Sequence, residues 1–342
     1  VGIADQLHDE AVTDMVFSIR YEAGLGRRVV EHLKALAQDL AGLLALDEGI
    51  DTKRKLDAIL SEAKALVNER YASAEGTFDE ELPQFTKIEV GRLLKTLNRV
   101  TSSDLFTVDL TDTLLRKLTT KLLIQGAPSA EWWQAQEADT LRRFTNLMRL
   151  GMVDGSTGDQ LARNVREMMG TSMRNAQALV RTSVISANNA LRQEVYRANS
   201  DVIRAECWVA TLDPRTCAAC GALDGQTWGL DESHPAAPLH WGCRCLLLAQ
   251  VKSWEQLARE NGSNPEMMKK LDGIPAGARA SMDGQVPSSM TYQDWLSSKS
   301  PEFQRQVLGP ARFRLLQSGK LRLSDLTDMR GHELTLKELA TL

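Results

Sequence analysis

The sequence predicts a mainly α-helical protein with a small α+β zinc-knuckle domain. The expected parts are a helical amino-terminal bundle or rod, short antiparallel strands around a metal site, and an irregular helical carboxy-terminal arm. Three observations carry this. Long stretches repeat apolar residues at helical spacing. Aromatic residues make up only 5% of the 342 residues against 11 methionines, which suits helices better than an all-β core. All five cysteines and two of the five histidines fall within residues 207–245. Domain boundaries are expected near 128 and 252, giving 1–128 as helical, 129–252 as the core with the metal knot, and 253–342 as the arm.

In the amino-terminal part, Val29, Leu33, Leu36, Leu40 and Leu43 share one face of a helix over 27–46. Asp51 or Thr52 caps the next helix, whose stripe is Leu56, Ile59, Ala63, Leu66 and Arg70, flanked by Leu60 and Val67. Two such helices joined by a short Gly-containing turn read as an antiparallel αα-hairpin. Further helices are expected over 83–97 and 109–124. The run Gln125-Gly126-Ala127-Pro128 stops the pattern before a restart at Ser129. His8-Asp9-Glu10 has the His-x-Glu form of zinc deaminases. Its nearest Cys pair lies about two hundred residues away, so it reads as a solvated helix face.

From Ser129 the pattern stays helical, with Leu141, Phe144, Met148 and Met152 on one face. After a turn at 154–158, Ser156 or Thr157 caps a helix containing Leu161, Val165 and Met168. Gly170 is expected to break it. A separate helix over 173–198 then buries Val180, Val184, Ala187, Leu191 and Val195. That helix carries Arg181-Thr182-Ser183 and Asn188-Asn189 in its interior, where such side chains compete for backbone hydrogen bonds. They are expected to brace a neighbouring element.

Residues 206–212 alternate as a strand and end in the turn Asp213-Pro214-Arg215. Cys217 and Cys220 follow at Cys-x-x-Cys spacing. After a turn and short strand over 223–228 and an irregular loop over 231–238 come His240, Cys243 and Cys245, before an apolar strand over 244–251. A Cys-x-x-Cys pair followed by His-x-x-Cys-x-Cys is metal-ligand spacing. Zinc takes four ligands, so one of the five candidates Cys217, Cys220, His240, Cys243 and Cys245 is spare. Cys243 closes the tighter loop and Cys245 competes with it. Cys207 reads as a buried small hydrophobe and His234 as a loop residue. A metal-free cluster packed beside Trp208, Trp228 and Trp241 is the bland alternative. A redox pair would need a βαβ unit, and none is visible.

Net charge is −4 and there is no Lys/Arg-rich run, which argues against a dedicated binder of bulk nucleic acid. Around the cysteines only Arg215 and Arg244 stand against Asp213, Asp224, Asp231 and Glu232, which weakens a zinc-ribbon nucleic-acid binder. No basic start followed by an apolar core opens the chain, and the apolar run 40–46 is too short to span a bilayer, so neither a secretory signal nor a membrane partner is expected. Clustered cysteines without a signal fit a reducing compartment.

Four runs resemble the phage head-morphogenesis family of Mu F-like minor head (minor capsid) proteins. They are Arg-Thr-Ser-Val-Ile-Ser-Ala-Asn-Asn over 181–189, Ala-Thr-Leu-Asp-Pro-Arg-Thr-Cys over 210–217, Leu-Asp-Gly over 223–225 and Pro-Leu-His-Trp-Gly-Cys-Arg-Cys over 238–245. The resemblance covers residues 130–250, continues loosely through 291–295 and 307–312, and does not reach 1–128. Pro214 and Trp241 depart from it at positions expected to vary. It implies a non-enzymatic virion protein inside the capsid near the portal vertex, assembled in the host cytoplasm and aiding head assembly and genome packaging or delivery. Expected partners are the portal protein, the major capsid or scaffold protein, and weakly the packaged DNA, with oligomers only in the virion. One structural zinc ion would hold the knot. A toxin-like ADP-ribosyltransferase relative is the enzymatic alternative, but no acidic Glu-x-Glu strand follows the knot.

The carboxy-terminal part is expected to start with a helix at Trp254 capped by Ser253 and interrupted over 261–265. Residues 273–289, rich in Gly, Ala, Pro and Ser, read as a linker. Short helices follow over 292–297, 301–308 and 311–317, and 321–326 and 335–342 close the chain. This arm either wraps its own domain or docks on a partner.

Overall fold

A computed structural model describes residues 3–45, 50–101, 106–252, 256, 259–260, 278–287, 289–319, 321–328, 331–339 and 341. The side chains of His8, Asp9 and Glu10, and the expected helix start at Ser253 and Trp254, lie outside the described residues. The fold is mainly helical with a small antiparallel sheet. The chain forms two compact units. One gathers residues 19–87 and 111–187; the other gathers 1–18, 88–110 and 188–342.

Four helices dominate: α1 (Ile3–Ala45), α2 (Lys53–Val100), α4 (Ser129–Asp154) and α5 (Gly158–Ala198), with the short α3 (Asp112–Leu118) after α2. In the unit of residues 19–87 and 111–187, α1 buries Leu25, Val29, Leu33, Leu36, Leu40 and Leu44. Leu44 rather than Leu43 closes the stripe. Thr52 caps α2 by accepting the N–H of Lys55. The α2 stripe runs through Ala63, Val67, Tyr71, Ala74 and Phe78. Arg70, expected on it, instead pairs with Asp39 at 2.8 Å. His32 with Thr77, and Tyr21 with Glu81, show that α1 and α2 run antiparallel, as the hairpin reading expects. Tyr71 reaches across to Thr140 of α4, which bonds Ser172 of α5, so one buried hydroxyl relay joins three helices.

Three expected helix ends are corrected. Pro83 does not start a new helix but lies inside α2. Phe78, Leu82 and Phe85 stay in phase and buried across it, and that burial outweighs the lost backbone bond. Gly170 does not divide α5, because Val165, Met169, Ala176 and Val180 keep one continuous buried stripe past it. The helix expected over 109–124 stops at Leu118. Leu123–Ile124 (β1) and Ala127–Pro128 (β2) form a two-residue hairpin around Gln125 and Gly126, both at positive φ. The restart at Ser129, the cap at Thr157 and the buried α5 stripe follow the sequence reading.

In the other unit, β3 (Ile203–Val209) is the central strand of a sheet of order β4-β3-β5, with β4 (Thr227–Gly229) and β5 (Leu246–Val251) both antiparallel to it. The short helix α6 (Ala218–Leu223) links β3 to β4. The stretch read as a linker is a hairpin, β6 (Ala278–Ser281) with β7 (Gly284–Pro287), in its described part. The helix α7 (Tyr292–Ser297) carries a Thr291/Asp294 capping box. The helix α8 (Pro301–Gln317) is broken at Gly309 (φ 78°) before Pro310, so the two expected segments both exist. A 3-10 turn (Leu323–Leu326) and α9 (Leu336–Leu339) complete the arm. It wraps its own domain: Tyr292, Trp295, Leu296, Leu308, Phe313 and Leu326 share one core with Leu212, Ala218 and Ala222.

This unit also contains a buried ion cluster. Arg192 donates to Asp14 at 2.9 Å and to Glu89 at 3.3 Å, and Arg92 reaches Asp14 at 3.1 Å. Asn188 holds Arg192 Nε and donates to Ser18. Replacing Arg192 with Ala leaves two buried carboxylates with Arg92 as their shared cation, and should cost about 3 kcal/mol in urea unfolding. Burial pushes the Glu89 carboxyl up to about 7, against the pull of Arg192 and Arg92 and with Asp14 adding to the rise. The folded chain therefore holds this proton more tightly than the unfolded chain. Stability should fall as pH rises from about 4.5 to about 7, and urea midpoints of Glu89→Gln should lack that decline.

Candidate metal centre

The cysteine cluster is built by two backbone turns. After β3, Asp213 accepts the N–H of Arg215 and so closes the first turn. Cys217 then takes an extended cap conformation (φ −71°, ψ 163°) at the start of α6, and its Sγ accepts the N–H of Cys220 at 3.4 Å. One helical turn thus points both sulfurs the same way. The second turn is closed by Cys243 N–H donating to His240 O at 3.1 Å, with Gly242 at φ 73° between them. A side chain there would be strained in that conformation.

His240 Nδ1 donates to Trp241 O at 3.0 Å, which turns Nε2 toward the cluster. Nε2 lies 3.2 Å from Cys217 Sγ and 3.4 Å from Cys220 Sγ, and Cys220 Sγ lies 3.6 Å from Cys243 Sγ. Around one tetrahedral ion, neighbouring sulfur and nitrogen donors lie about 3.5–3.8 Å apart. Two overlapping triplets result, Cys217/Cys220/His240 and Cys220/Cys243/Cys245, each within 4.8 Å and each able to hold a metal ion. Cys220 belongs to both.

The protonation pattern alternates across the cluster. The Cys220 hydrogen bond, helped by His240, lowers Cys217 to about 4. Hydrogen bonds from Cys220 and Cys245 lower Cys243 to about 2. Cys220 is raised by its bonds to Cys217 and Cys243. Cys245 is pulled down by Cys220 but raised on balance by Cys243 and by complete burial. The Cys217 thiolate raises His240 to about 9. Thiolates thus sit against retained protons, which is the arrangement a divalent cation displaces.

The same elements hold the frame of the site. Arg244, between Cys243 and Cys245, grips the Asp213 carboxylate with two bonds of 2.6 and 2.7 Å, tying the two turns together. Burial alone would raise Asp213, but these bonds override it and lower the carboxyl. Asn189 of α5 donates to Cys245 O and accepts from Leu247 N–H, the bracing expected of its position. Cys207 is buried in β3 and pushed up to about 11 by that burial, so it stays a protonated thiol apart from the cluster.

His234 is more than a loop residue. It is ion-paired with the buried Glu206, stacks on Trp228 at 5.0 Å and bonds Pro235 O, which braces the 230–238 loop. The pairing with Glu206 raises its pKa. The available signal was Glu206 itself, a carboxylate between Ala205 and Cys207 in a mostly apolar strand. Of the three expected tryptophans, Trp208 and Trp228 pack with the cysteines, whereas Trp241 is 41% exposed.

Residues 142–248 match the family model described as Phage Mu protein F like protein. Over this segment the chain is similar to the Mu F-like phage head-morphogenesis proteins. No curated protein and no solved structure matches the chain. The Mu F-like segment contains α5, β3, α6, β4 and every candidate ligand from Cys217 to Cys245, and it stops before the arm. Because Cys220 serves both triplets, Cys220→Ser should abolish the thiolate charge-transfer absorption of bound cobalt(II). Cys207→Ser should leave that spectrum unchanged.

Proposed function

We propose that this Mu F-like chain is a structural, non-enzymatic minor head protein of a tailed phage, placed inside the capsid near the portal vertex. It aids head assembly and genome packaging or delivery. The family match supports association with other phage head components. The observation that supports the structural role is the pair of donor triplets, Cys217/Cys220/His240 and Cys220/Cys243/Cys245, that share Cys220. With Cys243 or Cys245 closing on the same ion as Cys217, Cys220 and His240, the set would fill all four positions of a tetrahedral site. Soft thiolates with one imidazole suit zinc. Such an ion would add folding free energy and leave no position for a reacting water.

The charges near the cluster support docking to protein over binding of nucleic acid. Arg244 is committed to Asp213, and Arg279 is buried against Asp224, so neither contributes to a basic face. No helix among the described residues is long and apolar enough to cross a membrane. Co-expression with the cognate portal should yield rings that retain this chain through size exclusion at high salt. Loss of the chain from the rings as salt rises, with matching salt-dependent retention on DNA, would favour the nucleic-acid reading instead.

A further inference from the structure

We propose that metal occupancy at the cysteine cluster controls the docking of the carboxy-terminal arm, residues 278–339, so that stripping the metal releases it. This rests on the reading of the cluster as a metal site. The coupling element is α6. Six residues are too few to hold a helix unaided, so α6 depends on what grips its two faces. One face sets Cys220 and Leu223 against Trp208, Cys243 and Cys245. The other sets Ala218 and Ala222 against Tyr292, Trp295 and Leu326 of the arm.

The arm holds both ends of this helix. At its start, the Tyr292 hydroxyl reaches Thr216 O at 3.2 Å and Asp213 O at 3.3 Å, on the turn that delivers Cys217. Midway, the Tyr292 ring occupies the space a Cβ on Gly221 would take, so the arm seats only because position 221 is glycine. At its end, the Asp224 carboxylate accepts Tyr292 N–H at 2.7 Å and two bonds from Arg279 of β6. Leu212, just before the first turn, pairs with Ser281 and accepts Met282 N–H. Metal ligation fixes Cys217 and Cys220 and hence the phase of α6. An α6 in the right phase is the surface that the arm recognises. By linkage, an arm in place must tighten metal binding by the same factor that metal tightens the arm.

Hydrogen exchange on the full chain, with and without chelator, tests the first direction. Amides of 292–316 should lose protection on chelation, while those of 56–87 in α2 keep theirs. Competition with a chromophoric zinc chelator tests the second. Gly221→Ala, which wedges Tyr292 away, should weaken zinc binding about tenfold. Trp295→Ala loosens the arm without altering a ligand or a residue of α6, and should act in the same direction. Zinc bound with full affinity in Trp295→Ala, together with arm protection unchanged by chelation, would overturn the coupling while leaving the metal site standing. Equal loss of protection in α2 would also overturn it, as global unfolding. A chain that takes up no metal would instead refute the reading on which the coupling rests.

Discussion

The knuckle domain depends on one buried carboxylate. Asp224 is wholly buried, and its two oxygens accept from Ala210 N, Tyr292 N and both terminal nitrogens of Arg279. A charge without water is tolerable only when paired and hydrogen-bonded on every side. These donors come from the end of β3, the start of α7 and strand β6, so the three must arrive together. Gly225, next in sequence, turns at φ 82° and returns its N–H to Trp208 O, which sets β4 beside β3. The Asp213–Arg244 pair repeats the device one turn away, between the two ligand loops.

Side-chain amides do in this fold what strand ladders do elsewhere. Asn98 donates to Phe106 O and accepts from Phe106 N–H. Asn199 treats Thr107 the same way, and Asn189 brackets Cys245 and Leu247 at the entry to β5. Each amide offers one donor and one acceptor in the geometry of a peptide, and so satisfies an extended segment on a side that has no neighbouring strand. Asparagine inside or at the end of a helix is locally unfavourable, and here the local cost is offset by closing backbone groups of irregular chain.

What could be read from the sequence was whatever local chemistry decides. The cysteine and histidine spacing brought five donors together because the two tight turns are set within a few residues. The boundaries of α7 and α8 were legible from Thr291, Ser300-Pro301 and Gly309-Pro310, since caps and breakers act on their own neighbourhood. Pro83 and Gly170 misled for the complementary reason: burial of residues on either side outweighs their local effect. The pairs Glu206–His234 and Asp224–Arg279 join residues 28 and 55 positions apart, and no short-range pattern announces them. The hairpin of β6 and β7 looked like linker by composition, yet Gly284, directly after the two-residue tip Met282-Asp283, was a usable turn signal.

The two compact units are stabilised in different ways, and the candidate metal ligands lie in only one of them. Residues 19–87 and 111–187 bury continuous stripes along long helices, so stability is spread over many apolar contacts and no single residue is indispensable. The knuckle has strands of seven, three and six residues and a six-residue helix. So little regular structure cannot be held by ladders and stripes alone. Its shape comes from a few cross-links between segments distant in sequence: Asp224 with Arg279, Asp213 with Arg244, Glu206 with His234, and the converging thiolates with His240. An ion bound by the last of these would be one more cross-link of the same kind, positioned where α6 and the 239–245 turn meet.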